Sequence, residues 1–299
     1  MLTAQARLEN RSINVDPKNP RGIVWLASFP RSGNTWVRIF LTNLRRVIDR
    51  DESPLDLNRL DRTFSINDSG APLYEKVLGV QPVSAGPAAI LNARPKVLSD
   101  LVQQHPGVIL LKTHNANIMV QGTRFIPPDV SAGAIYLVRN PLDVAISNAA
   151  FRDISIDQAI TDMGTSGLGT ETTAEYVFEL IGSWSENVAT WTTRDSPSLL
   201  VVRYEDMVAE PIPTFGAIAR HVLMQHTPGQ LEEAIRRSSF KALSAIEQQS
   251  GFKEKLATAD RFFRKGSAEQ WRDALTPAQV ERVVSAHGAQ MARFGYLPQ

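Results

Sequence analysis

The chain contains no cysteine, which removes disulfides, thiolate metal sites and thiol nucleophiles together. That absence fits a reducing compartment. An excess of one charge is also missing: 32 Lys and Arg stand against 31 Asp and Glu, a net charge of +1 over 299 residues. No global field is available to attract nucleic acid or an acidic membrane, so attraction to an anion has to come from a local cluster. No run approaches the roughly 20 consecutive apolar residues of a membrane span. The opening MLTAQARLENRSINVDPKNPRG is polar and lacks an apolar core. These absences predict a cytoplasmic protein whose partners include neither nucleic acid nor membrane. What is present is the balance of a folded enzyme, 43% hydrophobic and 21% charged, in a chain long enough for one large core.

Residues 1–22 read as a loose lead-in and 23–299 as a single domain. GIVWLASF reads as a buried strand. Over 34–48 the apolar side chains fall at Trp36, Val37, Phe40, Leu41, Leu44, Val47 and Ile48, a helical spacing. GVILLKTHN, AIYLVRNP and SLLVVRYEDM are further apolar runs that end in polar residues. Asn140 and Pro141 suit the cap and first turn of a helix through about Phe151. A long helix is expected over 174–194, with Trp184 and Trp191. Another is expected from Thr276, with Pro277 first and Gln279 as a capping-box partner. Residues 50–107 are interrupted by Pro and Gly and read as several short elements or a substrate-facing loop. Within 152–172, DMGTSGLGTETT reads as a flexible loop or lid. Strands separated by helices predict an α/β fold, a central parallel sheet flanked by helices, with ligands at the carboxyl ends of the strands.

The stretch WLASFPRSGNTW, residues 25–36, passes from strand through a tight turn into a helix. Such a turn aims unpaired backbone N–H groups and the positive end of the helix dipole at one point. Gly33 lets backbone approach a ligand closely. Arg31 adds a full charge, and Ser32, Asn34 and Thr35 add donors, which together describe a phosphate or sulfate site. The pattern GxxxxGK[ST] of nucleotide triphosphatases is absent, since Asn34, Thr35 and Trp36 stand where its lysine and hydroxyl should be. FPRSGNTW instead resembles the 5′-phosphosulfate loop of the cytosolic-type sulfotransferases, usually written YPKSGTTW, with Arg31 in place of lysine.

Three further segments extend the resemblance over most of the chain. In YLVRNPLDVAISN, Arg139 ends a strand and Ser147 lies seven residues, about two helical turns, past the cap Asn140, so both can converge on one phosphate. The segment is similar to the family's 3′-phosphate motif. FFRKGSAEQW, with Arg264, Lys265 and Gly266, is similar to the family's RKGxxGxW segment, which closes over the same phosphate; Glu269 replaces its second glycine. In LKTHN the pleat puts Lys112 and His114 on one side of the strand end. The resemblance implies that His114 is the catalytic base and that Lys112 contacts the sulfuryl group or its bridging oxygen. It also implies that Trp36 stacks on adenine and that Tyr204 and Ser238 lie near the base, although each could equally be a packing residue. RDALTPAQVE falls where many members carry a KxxxTVxxxE dimer motif, with Arg272 for Lys and Pro277 for Val, so a homodimer would not use an intact motif.

The resemblance therefore implies a P-loop-like fold and a transferase moving a sulfuryl group from 3′-phosphoadenosine 5′-phosphosulfate to a hydroxyl or amine of a small-molecule acceptor. His114 would act as base, Lys112 and Arg31 would neutralise the leaving phosphate, and no metal would be required. An ATP-dependent small-molecule kinase would need a Walker lysine and magnesium ligands. A non-catalytic nucleotide-binding protein would not need Lys112 and His114. Acceptor choice is expected from residues 50–107, 115–131 and 152–172, where Phe64, Tyr74, Phe125 and Phe151 read either as lining an apolar pocket or as core.

Overall fold

The computed structural model describes residues 11–60, 65–255, 261–263 and 265–298. Its centre is strand β1 (Gly22–Ser28), in which all seven residues are buried. A strand covered on both faces needs an unbroken apolar run, and GIVWLAS supplies one. β1 pairs in parallel with β3 (Val108–Thr113) on one side and β6 (Ser131–Val138) on the other. The short β2 (Ser65–Asn67) flanks β3, and β7 (Leu199–Arg203) flanks β6, giving the order β2-β3-β1-β6-β7. All four pairings are parallel. Two apolar clusters cover the two faces, one including Trp25, Leu111 and Tyr136, the other Leu26, Phe40 and Leu137. An antiparallel pair, β4 (Met119–Val120) and β5 (Thr123–Arg124), stands apart. Among the described residues no helix is long and apolar enough to cross a membrane.

Helix α1 (Asn34–Ile48) follows β1 as its apolar spacing predicts. The segment expected as short pieces or a loop contains α2 (Ala71–Leu78), α3 (Pro82–Ala85) and the 18-residue α4 (Pro87–Gln104). α4 carries Pro95 in its interior. Pro95 is exposed, so its ring stays out of the core, while Ile90, Leu91, Val97, Leu98 and Leu101 are buried.

α5 (Pro141–Arg152) starts as the sequence indicates, with Asn140 accepting a hydrogen bond from the Leu142 N–H at 3.0 Å. The expected loop over 152–172 is corrected in part. It contains α6 (Ile156–Gly164), capped by Ser155 and buried through Ala159, Ile160 and Met163. The expected helix over 174–194 is shortened to α7 (Trp184–Thr192). Gly182 at φ 72 and the capping box between Ser183 and Glu186 set its start, while the chain before it is extended and bridges Gly169 to Leu180 and Gly70 to Tyr176.

Helices α8 (Tyr204–Ala209), α9 (Pro211–His221), α10 (Pro228–Arg237) and α11 (Phe240–Ser250) follow β7. α12 (Trp271–Ala274) precedes α13 (Pro277–Phe294), whose Thr276–Gln279 capping box is the expected one. The reversal of strand order around β1 opens a crevice at the carboxyl ends of β3, β1 and β6, which is where such sheets hold ligands.

Candidate active site

The turn after β1 is shaped by two residues at positive φ, Arg31 at 67° and Gly33 at 100°. A Cβ at Gly33 would stand 2.9 Å from Tyr204 Cδ2 and 3.0 Å from Met207 Cε, so only glycine brings the turn this close to α8. No side chain caps α1, and its first turn carries no acidic residue. Its first N–H groups are therefore left for an anion. Asn34 instead points back, donating to the Leu26 carbonyl at 2.9 Å, and so ties the turn to β1. The Ser32 hydroxyl is buried without a partner among the described residues.

One cavity of about 520 Å³ runs from this turn along the strand ends. Its lining includes Arg31, Gly33, Asn34, Thr35 and Trp36 from the turn, Arg139, Ser147 and Tyr204, Lys265 and Gly266, and Lys112 and His114. Two predicted residues stay off the wall. Ser32 is buried beneath the turn, and Ser238 is buried behind Trp36, accepting the indole N–H on its carbonyl at 2.8 Å. Arg264 and Phe64 lie outside the described residues.

Arg31 lies on the Ser147 side of the cavity. Its guanidinium carbon stands 4.2 Å from the Phe151 ring centroid and 4.7 Å from that of Phe262, and its Nε donates to Ser147 Oγ at 3.2 Å. A planar cation suits such a slot between rings better than an ammonium would. Arg139 donates to the Arg31 carbonyl at 3.0 Å and lies 4.1 Å over the Tyr204 ring, while its buried Nε meets no partner among the described residues.

Glu269, which stands where glycine was expected, adopts φ 59. The turn thus keeps a left-handed residue at that position, held by the Glu269 N–H donating to Asp143 at 2.8 Å. At Gly266, φ is 63 and an added Cβ would fall into the Phe240 ring. Gly266→Ala is expected to destabilise the protein by about 1–3 kcal/mol, read from urea unfolding. A change too small to measure would mean the turn is not fixed in this conformation.

His114 is tied to the end of β1. Its Nδ1 lies 2.8 Å from the Ser28 carbonyl oxygen. A carbonyl only accepts, so Nδ1 carries the proton and Nε2 keeps a lone pair for the cavity. Burial is the main cause that holds its pKa well below the usual histidine value, and the Lys112 charge adds to it. The ring is neutral at pH 7. Its backbone is held by Glu179, which accepts from the His114 N–H at 3.2 Å, and by Asn187, which donates to its carbonyl at 3.1 Å. Lys112 Nζ stands 4.0 Å from the same Glu179 oxygen. Thr113 points the other way, donating to Asp68 at 2.9 Å. Asp68 Oδ2 also accepts from Arg94 at 2.6 Å and Asn115 at 3.1 Å, a wholly buried cluster that takes in both neighbours of His114 in the chain.

Sequence reasoning missed Glu179, Asp68, Ser28 and Glu254. Glu254 receives the Thr35 hydroxyl at 3.2 Å and Arg38 at 2.7 Å. Ser28 lies inside WLASFPRSGNTW, where nothing marks its carbonyl as a partner of His114; the other three sit in no local motif and reach the site only through tertiary contacts. Phe240, which lines the cavity against Gly266, had a weak signal in its place directly after the helix cap Ser239. Of the aromatics read as pocket or core, Phe151 lines the cavity. Tyr74 and Phe125 are core residues, each 1% exposed.

A parallel sheet that carries an uncapped helix start, with a second basic turn across the crevice, defines a P-loop-like α/β protein built to hold an extended anion. The chain belongs to the sulfotransferase family, whose model, described as the sulfotransferase domain, matches residues 22–295. Sulfotransferase 2A2 of Mus musculus is 31% identical over 170 residues, covering 54% of this chain and 58% of the relative. The chain thus spans little more than half the length of that relative. Flavonol 3-sulfotransferase of Flaveria bidentis is 23% identical over 279 residues, covering 87% and 78%. Among solved structures, retinol dehydratase in a complex with retinol and PAP shares the fold, at a TM-score of 0.61 and 18% identity over 96% of this chain and 84% of that one.

Proposed function

We propose that the chain transfers a sulfuryl group from 3′-phosphoadenosine 5′-phosphosulfate to a hydroxyl or amine of a small-molecule acceptor. The observation that carries this reading is the continuity of a single cavity from the uncapped start of α1, past Arg139 and Ser147, to His114 and Lys112. The residues fit such a donor. Ser32 Oγ and Arg139 Nε are buried donors without partners among the described residues, and Gly33 admits close backbone approach. The named relatives support the reaction class, and the PAP bound to retinol dehydratase supports the nucleotide.

When bound, the donor supplies an activated sulfuryl group and a phosphate leaving group. His114 takes the acceptor's proton at Nε2 while the acceptor atom bonds to sulfur and the bond from sulfur to the phosphate oxygen breaks. Lys112 neutralises the charge that gathers on the departing phosphate, with the N–H groups of Ser32 to Thr35 beside it, while Arg31 reaches toward Ser147. Arg139, Ser147, Arg264, Lys265 and Gly266 hold the 3′-phosphate. Trp36 and Tyr204 flank the adenine, with Ser238 supporting Trp36. Arg139→Ala or Ser147→Ala is expected to weaken PAP by about 10–100-fold, the scale of a charge-assisted hydrogen bond, and adenosine 5′-phosphate far less. Calorimetry with both nucleotides checks this, and equal losses for the two would count against the arrangement.

A further inference from the structure

Beside Lys112 and His114 the cavity lining includes the polar Asn67, Ser69, Thr170, Glu171 and Glu179, together with Val177 and with Tyr176, which is 46% exposed. Several of these groups retain unused hydrogen-bonding capacity. Asn67 Oδ1 accepts from both the N–H and the hydroxyl of Ser69, at 3.2 and 3.0 Å, which leaves the Asn67 NH₂ as a donor. Thr170 Oγ1 accepts the Glu179 N–H at 2.9 Å, which leaves its O–H to donate. Glu179 already faces Lys112 and the His114 N–H. Glu171 meets neither a cation nor a hydrogen-bond donor among the described residues.

An apolar alcohol seated here would cover these groups with hydrocarbon and strand them, and a site built to hydrogen-bond its substrate rejects analogues that cannot answer. An acceptor with several hydroxyls and one ammonium would satisfy them. We infer that the acceptor is a hydroxylated amine with the chemistry of an amino sugar. Its hydroxyls bond to Asn67, Ser69 and Thr170, its ammonium pairs with Glu171, and a C–H face of its ring lies on Tyr176. This rests on the transfer reaction proposed above: the hydroxyl presented to His114 Nε2 gives up its proton there as its oxygen bonds to sulfur and the donor phosphate leaves. The flavonol and the retinol named above carry no amine.

The test compares glucosamine, N-acetylglucosamine, 2-naphthol and a 3β-hydroxysteroid as acceptors at pH 7, by kcat/KM with the sulfate donor and by calorimetric binding to the PAP-saturated protein. Glucosamine is expected to exceed N-acetylglucosamine by about 2–5-fold, the scale of an exposed ion pair, and to exceed both apolar acceptors. Glu171→Gln, at an exposed position, is expected to bring the ratio of the two sugars close to one. Preference for 2-naphthol or the steroid, or a sugar ratio untouched by Glu171→Gln, overturns the inference. If no acceptor is turned over and PAP does not bind, the transfer reading falls. Calorimetry on the protein without nucleotide then decides the inference alone, by whether glucosamine is preferred and the preference is lost in Glu171→Gln.

Discussion

His114→Ala is expected to lower single-turnover transfer by about 10²–10⁴-fold, the range for removal of a positioned general base, with PAP binding largely retained. The loss should be large because the protein fixes both the tautomer and the ring direction through the Ser28 carbonyl, 2.8 Å from Nδ1. The pH profile carries a second signature. Burial, with Lys112 second, pushes the His114 pKa well below 6.5, and the active form is the neutral one. kcat/KM should therefore rise with pH only along an acid limb lying well under pH 6.5 and stay level through neutral pH. Lys112→Met removes a cation that disfavours the imidazolium, so the limb should move to higher pH. Turnover retained in His114→Ala, or an unmoved limb in Lys112→Met, would sink the base assignment.

The other large effect is expected from a residue that does not line the cavity. Asp68→Asn should cost about 3–5 kcal/mol in urea unfolding, because it leaves the guanidinium of Arg94 without its carboxylate in a place from which water is excluded. Arg94 and Asp68 are 3% and 1% exposed, and one carboxylate oxygen takes bonds from Arg94, Thr113 and Asn115. The double variant Asp68→Asn with Arg94→Met should recover part of the loss by removing the stranded charge. Thr113 and Asn115 bracket His114 in sequence, so the single variant should also slow transfer at fixed PAP affinity. A cost below about 1 kcal/mol, the scale of an exposed pair, would show that this cluster does not hold the base.

Elements whose cause is local were legible in the sequence. β1 is an unbroken apolar run and α5 begins at an Asn-Pro pair whose cap bond forms as expected. α4 was hidden because Pro95 reads as a breaker, and only its solvent-facing position makes it tolerable. The segment 174–183 was misread because Tyr176, Val177 and Phe178 carry no helical stop, and its extended shape comes from bridges to Gly70 and Gly169. Arg31, His114, Arg139 and Tyr204 come shortly after strand ends, so their place at one edge of the sheet was legible, yet their directions were not. Arg31 was expected beside the leaving phosphate, and its guanidinium lies between Phe151 and Phe262 with Nε on Ser147. Glu179 could not be read at all, since its link to Lys112 and His114 spans more than sixty residues of chain.

The pairing of β1 with both neighbours sets a gauge for the chemistry. Ala27 stands opposite Thr113 and Ser28 opposite Leu137, so the strand ends that carry His114 and Arg139 are separated by two interstrand steps, roughly 10 Å. Peptide units set that length, and no exchange of side chains can stretch or shorten it. The Thr170–Glu179 wall lies outside the five-stranded sheet and is not bound to the gauge. Substitutions along that wall can accordingly accumulate while the spacing between the strand ends that carry His114 and Arg139 stays calibrated.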